Sequence, residues 1–340
     1  MLVPLLLSAT LAMAPPRPLV GVAANPPAGS TGAQFLVGIR DAQRMGCRLM
    51  TTSHKWSDLE PKPGEVNLKP LEEALRGLPV FGFTVALTIQ TLDTNNRTLP
   101  PDLMAKPLDA PEVRTRFDAL VKQIAAKLGK SCPWVMLANE ADVYLAAHPN
   151  ELEPFSTLME QGRRTLRAAR PDILVGVTCT HDGLRDRPAA VARMNREMDI
   201  RTMTYYPLAP GFSVRPVGDV AADMARMVRG AGGKPLLIQE IGYPAAELLG
   251  SSGAKQAAFV DAVFDAADRH APAIAGFCFF ILHDFGDKLT DQLLSYYRLP
   301  DPKFRAYLAT LGLKEADGKP RPAYARFEAR TARWEKAGGE

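Results

Sequence analysis

The chain has 340 residues, of which 46% are hydrophobic and 23% charged; this balance excludes extended disorder and leaves room for one large α/β barrel or two ordinary domains. The formal net charge is +4 and the charges are spread along the chain, which excludes the basic stripe of a nucleic-acid binder. Even the Arg-rich stretch from Arg321 to Arg333 is interrupted by Glu328 and reads as a solvated helix face.

Residues 1–14, MLVPLLLSATLAMA, form a short apolar stretch ending in Ala12-Met13-Ala14, followed by Pro15 and Pro16. The small-x-small ending suits a signal peptidase, and the stretch is too short to span a bilayer. The expectation is a secreted or periplasmic protein that leaves the membrane once its signal peptide, residues 1–14, is removed. The remainder, 15–340, is then one domain with a C-terminal tail.

Eight short apolar runs follow in order, separated by amphipathic stretches. The runs are 19–23, 47–51, 80–88, 134–138, 173–178, 202–206, 235–239 and 275–282. The intervening helices fall at 31–45, 71–78, 111–128, 154–170, 188–198, 220–229 and 255–269, with a last helix at 302–311 before the tail. The third is the clearest, with Val113, Phe117, Leu120, Val121 and Ile124 at helical spacing. Eight strand–helix units without a break in composition predict a single-domain (β/α)8 TIM barrel of the α/β class. A doubly wound sheet is the competing architecture. It would place a glycine-rich turn after the first strand, where this chain has Ala24-Asn25-Pro26-Pro27. Gly230, Gly232 and Gly233 close a helix instead. The four cysteines, Cys47, Cys132, Cys179 and Cys278, lack metal-ligand spacing. They are expected to be free, buried thiols, with no metal and no cofactor.

In such a barrel the functional site lies at the C-terminal ends of the strands. Those ends are polar or aromatic here: Ser53-His54-Lys55-Trp56, then Gln90, Asp93, Asn95 and Asn96, then Asn139-Glu140-Ala141-Asp142. His181-Asp182, Tyr205-Tyr206, Gln239-Glu240 and His283-Asp284 complete the set. Glu140 and Glu240 end strands four and seven, which face each other across a barrel. Two opposed carboxyls are what glycosidic cleavage requires, one protonated to donate to the leaving oxygen and one ionised to attack or activate water. Each has a plainer reading. Glu140 suits a helix start, and Glu240 a salt bridge. Trp56 is either a sugar platform or core packing. His54, His181 and His283 lie on different loops, which favours separate hydrogen-bonding roles over a metal cluster. Asp142 either orients the Glu140 region or caps a helix.

The combination resembles the clan-A glycoside hydrolases. The similarity rests on Leu137-Ala138-Asn139-Glu140 at strand four and Leu237-Ile238-Gln239-Glu240-Ile241-Gly242-Tyr243-Pro244 at strand seven. It extends to the Trp-to-Gly loop from Trp56 through Glu60-Pro61 to Gly64, and to the tail from Gly312 to Ala323. The resemblance implies a retaining enzyme of endo-galactanase-like or related type, with Glu140 as acid/base and Glu240 as nucleophile. It implies that Asn139 binds a sugar 2-hydroxyl and that a strand-six tyrosine holds Glu240. Backbone alternation allows only one of Tyr205 and Tyr206 to face inward, and Tyr206 is favoured. Many members carry a Trp at strand eight, where this chain has Phe277-Cys278-Phe279-Phe280-Ile281-Leu282-His283-Asp284. Together with the polar residues at the strand ends, the candidate substrate-binding set is Asn139, Tyr206, Tyr205, Trp56, His54, Asp142, His181 and His283. The partner is a carbohydrate, and a monomer is expected. Two other classes stay open: a catalytically silent barrel that binds glycan, and a metal-dependent barrel hydrolase.

Overall fold

A computed structural model describes residues 17–30 and 32–337; the expected signal peptide lies outside them. The apolar runs form parallel strands: β1 Leu19–Val22, β2 Leu49–Lys55, β3 Thr84–Gln90, β4 Trp134–Met136, β6 Arg201–Tyr205, β7 Leu236–Ile241 and β8 Ile274–Phe279. The fifth run is divided at Val177 into Leu174–Gly176 and Thr178–Thr180, together taken as β5. Its first part pairs with β4 and its second with β6. β8 pairs with β1, so the ring closes. This is the expected (β/α)8 barrel, and a doubly wound sheet would have left two open edges.

Alternation sorts the side chains. Leu49, Ala86, Trp134, Met136, Leu237 and Cys278 fill the barrel's interior. Above them sits a polar layer in which Gln239 Oε1 accepts from Thr88 (3.2 Å) and Thr178 (2.9 Å). The tight packing leaves no room at Gly21, where a Cβ would lie 2.3 Å from the Leu49 carbonyl oxygen. The four cysteines are buried and none forms a disulfide.

The outer helices are α1 Gly32–Arg44, α2 Lys69–Val80, α3 Pro111–Ala125, α4 Leu152–Ala169, α5 Pro188–Met194, α6 Val220–Gly230, α7 Gly253–His270 and α8 Pro322–Ala337. The expected strand start at residue 80 is corrected: Val80 ends α2 and is 80% exposed, and the chain turns through Gly82 at φ +81 before β3. A second correction concerns the C-terminus. The expected tail contains α8, the eighth outer helix. It packs on α7 through Phe264, which meets Phe327 at 5.6 Å and Trp334 at 4.9 Å. Arg330 of α8 pairs with Asp265 at 2.7 Å. The helix expected at 302–311 is instead Pro302–Leu308, and it lies over the mouth. It is preceded by a helix the sequence pattern did not reveal, Asp287–Tyr297. Asp301 caps the second of these, accepting from the Lys303 and Phe304 backbone N–H groups at 2.6 and 3.2 Å. Both belong to the insertion between β8 and α8. Among the described residues no helix is long and apolar enough to cross a membrane.

Candidate active site

The mouth of the barrel holds a cleft of about 580 Å³ with Glu140 and Glu240 in its lining. Local backbone geometry turns each into it. Glu140 adopts a left-handed conformation, φ 45° and ψ 40°, at the start of the short helix Ala141–Ala147. A non-glycine residue held there is a local strain that its surroundings must impose. Glu240 owes its direction to a bulge. Gln239 points into the barrel, so strict alternation would send Glu240 outward. The β6–β7 register shifts between Ile238 and Glu240, and this extra residue lets both neighbours face inward.

Each oxygen of Glu140 receives a hydroxyl donor, Thr204 Oγ1 to Oε1 at 2.7 Å and Thr94 Oγ1 to Oε2 at 2.8 Å. Thr94 is itself left-handed (φ 53°), in the turn of a two-strand hairpin, Leu92–Asp93 with Asn96–Arg97. Glu240 Oε2 accepts from the Tyr206 hydroxyl at 2.9 Å. Between the carboxyls runs a chain of amides. Gln239 Nε2 donates to Asn139 Oδ1 (2.7 Å), and Asn139 Nδ2 donates to Asp93 Oδ1 (3.1 Å). Asp93 also accepts from Gln90 Nε2 (3.0 Å) and from the Tyr296 hydroxyl (2.6 Å).

Burial pushes the Glu140 carboxyl above its ordinary range, helped by the charges of Asp142 and Asp93 and opposed by the Thr204 and Thr94 donors. Burial also raises Glu240, reinforced by the Glu140 charge and opposed by the Tyr206 hydroxyl. Two like charges facing one low-dielectric space resist ionising together, so one proton is retained on the pair into the neutral range.

Of the expected site residues, Asn139, Glu140, Tyr206, His181 and Glu240 line this cleft. The other five do not. Trp56 is fully buried against Phe117 (5.2 Å between rings), and its Nε1 donates to Glu60 Oε2 at 2.9 Å. Glu60 Oε1 accepts from Gly64 N–H (3.0 Å) and Arg116 Nε (3.0 Å). The Trp-to-Gly loop is therefore a closed structural unit, and Trp56 is core rather than a platform. His54 bonds Thr52 Oγ1 at 3.2 Å, and alternation puts Ser53 in the cleft instead. Asp142 holds the end of β5, accepting from the Thr180 N–H (2.8 Å) and hydroxyl (2.7 Å). Tyr205 points outward to Asp223 of α6, 2.9 Å away. His283 ties the β8 and β1 loops, its Nδ1 lying 2.7 Å from the Asn25 carbonyl oxygen.

His181 lies between the cleft and α6. Its Nε2 is 3.3 Å from Asp223 Oδ1 and its Nδ1 is 3.5 Å from Asp182 Oδ1. Burial lowers its pKa, and the two carboxylates more than offset this. The three histidines thus face separate neighbours. Among the described residues no group of three His, Cys, Asp or Glu is placed to hold a metal ion. At strand eight Phe280 lines the cleft, with a cis peptide to Ile281.

Sequence reasoning did not anticipate Thr94 and Thr204 as partners of Glu140, nor the apolar side of the cleft. Thr204 was findable, because it lies two residues before Tyr206 on the same face. The apolar side comes from Leu208 and Phe212 after β6, Phe285 after β8, and the two mouth helices, which carry no strand-end signature.

No protein-family model and no curated protein matches the sequence. Solved structures do match. The exo-β-1,4-mannosidase Op5Man5 of Opitutaceae bacterium strain TAV5 superposes with a TM-score of 0.75 at 17% identity, over 97% of this chain and 62% of that one. The chain thus spans less than two thirds of that mannosidase. GH5_18 of Streptomyces cattleya, in complex with Manβ1-4GlcNAc, gives 0.72 at 18% identity, over 93% and 81%. Xylanase 10B of Thermotoga maritima gives 0.68 at 15% identity, over 94% and 97%. The fold is the (β/α)8 barrel that these glycosidases share. At these identities the likeness speaks for the barrel, and the chemistry rests on the site.

Proposed function

We propose that the chain is a glycoside hydrolase that cleaves a β-linked saccharide with retention of configuration. The supporting observation is the pair of carboxyls in one cleft, at the ends of β4 and β7. Glu240 attacks the anomeric carbon, and the Tyr206 hydroxyl holds its reacting carboxylate. Glu140 gives its proton to the leaving oxygen, which departs as the alcohol. Glu140, now ionised, then takes a proton from water, and that water releases the sugar from Glu240. Asn139 is held by Gln239 and Asp93 on either side, which orients its amide toward a sugar 2-hydroxyl. The mannosidase and xylanase names of the matching structures favour β-linked substrates without fixing the sugar. Double displacement requires no metal or organic cofactor.

The test is hydrolysis of aryl β-glycosides and β-linked polysaccharides by the wild type, Glu140→Ala and Glu240→Ala, with the first-formed anomer read by NMR. The expected result is a β-anomeric first product. Glu240→Ala should be inactive on every substrate. Glu140→Ala should lose about 10²–10⁴-fold on poor leaving groups and far less on activated aryl ones. Unchanged turnover in Glu240→Ala sinks the assignment. Glycan binding without turnover in the wild type moves the reading to a silent barrel.

A further inference from the structure

The cleft has two unlike walls. On the side of β2 to β5 it offers hydroxyls, amides and carboxyls, among them Ser53, Thr94, Asn95, Thr180 and Asp182. On the side of β6, β8 and the mouth helices it offers Leu208, Phe212, Leu293, Tyr297, Leu299 and Phe304. Of these six side chains only Tyr297 has a polar atom; the same side also carries the hydroxyls of Tyr206, bonded to Glu240, and of Tyr307, bonded to Tyr206. A second saccharide unit on that side would leave most of its hydroxyls facing hydrocarbon, and each unpaired hydroxyl costs free energy. The rings are poor stacking platforms as well, because they pack on one another. Phe212 lies 5.0 Å from Phe304, which Tyr297 meets edge to face at 5.7 Å. What the wall presents outward is therefore aliphatic surface and ring edges. Leu299 is 38% exposed at its rim, an apolar side chain left uncovered beside a reactive centre.

Resting on the glycosidase reading above, we propose that this wall is the leaving-group subsite and that it takes an apolar aglycone, an alkyl or aryl group, rather than a further sugar. The glycone then occupies the polar floor, where Asn139, Glu140 and Glu240 converge. The scissile oxygen lies at the border between the two surfaces, within reach of Glu140. The products are the free sugar and an apolar alcohol or phenol.

The experiment uses two homologous series, n-alkyl β-glycosides from methyl to decyl and aryl β-glycosides from phenyl to naphthyl. Each is prepared with several sugars and compared with the matching β-linked disaccharides. In parallel, calorimetry measures binding of the octyl β-thioglycosides, which resist hydrolysis. If the wall takes the aglycone, kcat/KM rises about fourfold for each methylene that it covers, and both series exceed the disaccharides. Leu299→Ser and Leu293→Asn flatten the chain-length slope. A steeper gain in one series tells an alkyl from an aryl aglycone. Hydrolysis of disaccharides with no dependence on chain length overturns the proposal and leaves the glycosidase reading intact. Octyl binding that depends on Leu299, with no hydrolysis of any glycoside, overturns the glycosidase reading while the apolar subsite stands. Neither binding nor hydrolysis overturns both.

Discussion

The two walls of the cleft are built by different physics. The polar floor is built on and just past strand ends. Thr204 lies in β6, Gln239 in β7 and Asn139 three residues past β4, and hydrogen bonds fix each one to another inward-facing group. The apolar wall is made of connections. Phe212, Phe285 and the helices Asp287–Tyr297 and Pro302–Leu308 hold their places by packing on one another and on Leu249, Ile281 and Leu311. Register gives sub-ångström placement, which bond-making needs. Packing gives an adaptable surface, which suits recognition by shape. The contrast predicts that changes on the polar side strike kcat, while changes on the apolar side strike the dependence on the leaving group.

The sharpest way to break this contrast is Asn139→Ala. Asn139 is 7% exposed and lies between Gln239 and Asp93. Truncation removes the contact proposed for the 2-hydroxyl and leaves both neighbours without their partner. A 2-hydroxyl contact that strengthens in the transition state is worth several kcal/mol, so kcat should fall by about 10²–10³-fold, with the protein still folded in a thermal melt. Leu293→Ala should cost less than about tenfold and act through KM. If the two variants lose activity equally and in the same parameter, the division between the walls is false.

That division also explains what the sequence could reveal. Strand ends are legible because a strand has a fixed period and a direction: the choice of Tyr206 over Tyr205 follows from counting, and Glu140 from its place past the end of strand four. Counting fails where geometry departs from the period. Strict alternation would turn Glu240 out of the barrel, and the bulge after Ile238 brings it in; its place at the end of strand seven and the motif around it pointed to it, and the period did not. Trp56, His54, Asp142 and His283 were placed near the site because they follow strands, yet each turns to a partner outside the cleft, such as Glu60 for Trp56 and Asn25 for His283. A sequence position says how near the mouth a residue lies. It does not say which partner holds its side chain. The mouth helices were illegible for a further reason: their apolar residues cover a cleft rather than the barrel, so the pattern resembles that of an ordinary outer helix.

A smaller effect belongs to Tyr206→Phe. The Tyr206 hydroxyl donates to Glu240 and so favours its ionised form, lowering its pKa. Removing the donor raises that pKa, so the acidic limb of the kcat/KM profile should move to higher pH. Hydrogen bonds to charged groups contribute about 1.5–3 kcal/mol, and kcat at neutral pH should fall by about tenfold or somewhat more. An acidic limb that stays in place, or moves to lower pH, would show that Glu240 is not the group whose ionisation limits the reaction.

The smallest effect concerns stability, and its sign is opposite to that of most buried substitutions. Glu240 has an ordinary carboxyl value of 4.5 that burial and the Glu140 charge raise in the folded protein. Between 4.5 and the raised value the unfolded chain has released a proton that the folded chain still holds. Folding stability from this group is therefore complete below 4.5 and declines as pH rises toward the folded value. Glu240→Gln stays neutral at every pH and also relieves the repulsion on Glu140. At pH 8 the variant should be more stable than the wild type by on the order of 1–2 kcal/mol, a gain of a few degrees in melting temperature. At pH 4 the wild-type carboxyl is protonated and the two should melt together. Melting both proteins at the two pH values isolates the Glu140–Glu240 pair, because the titrations outside it are common to them. A variant that is less stable at pH 8, or equally more stable at both, would mean that the polar floor is not where the fold gives up stability for reactivity.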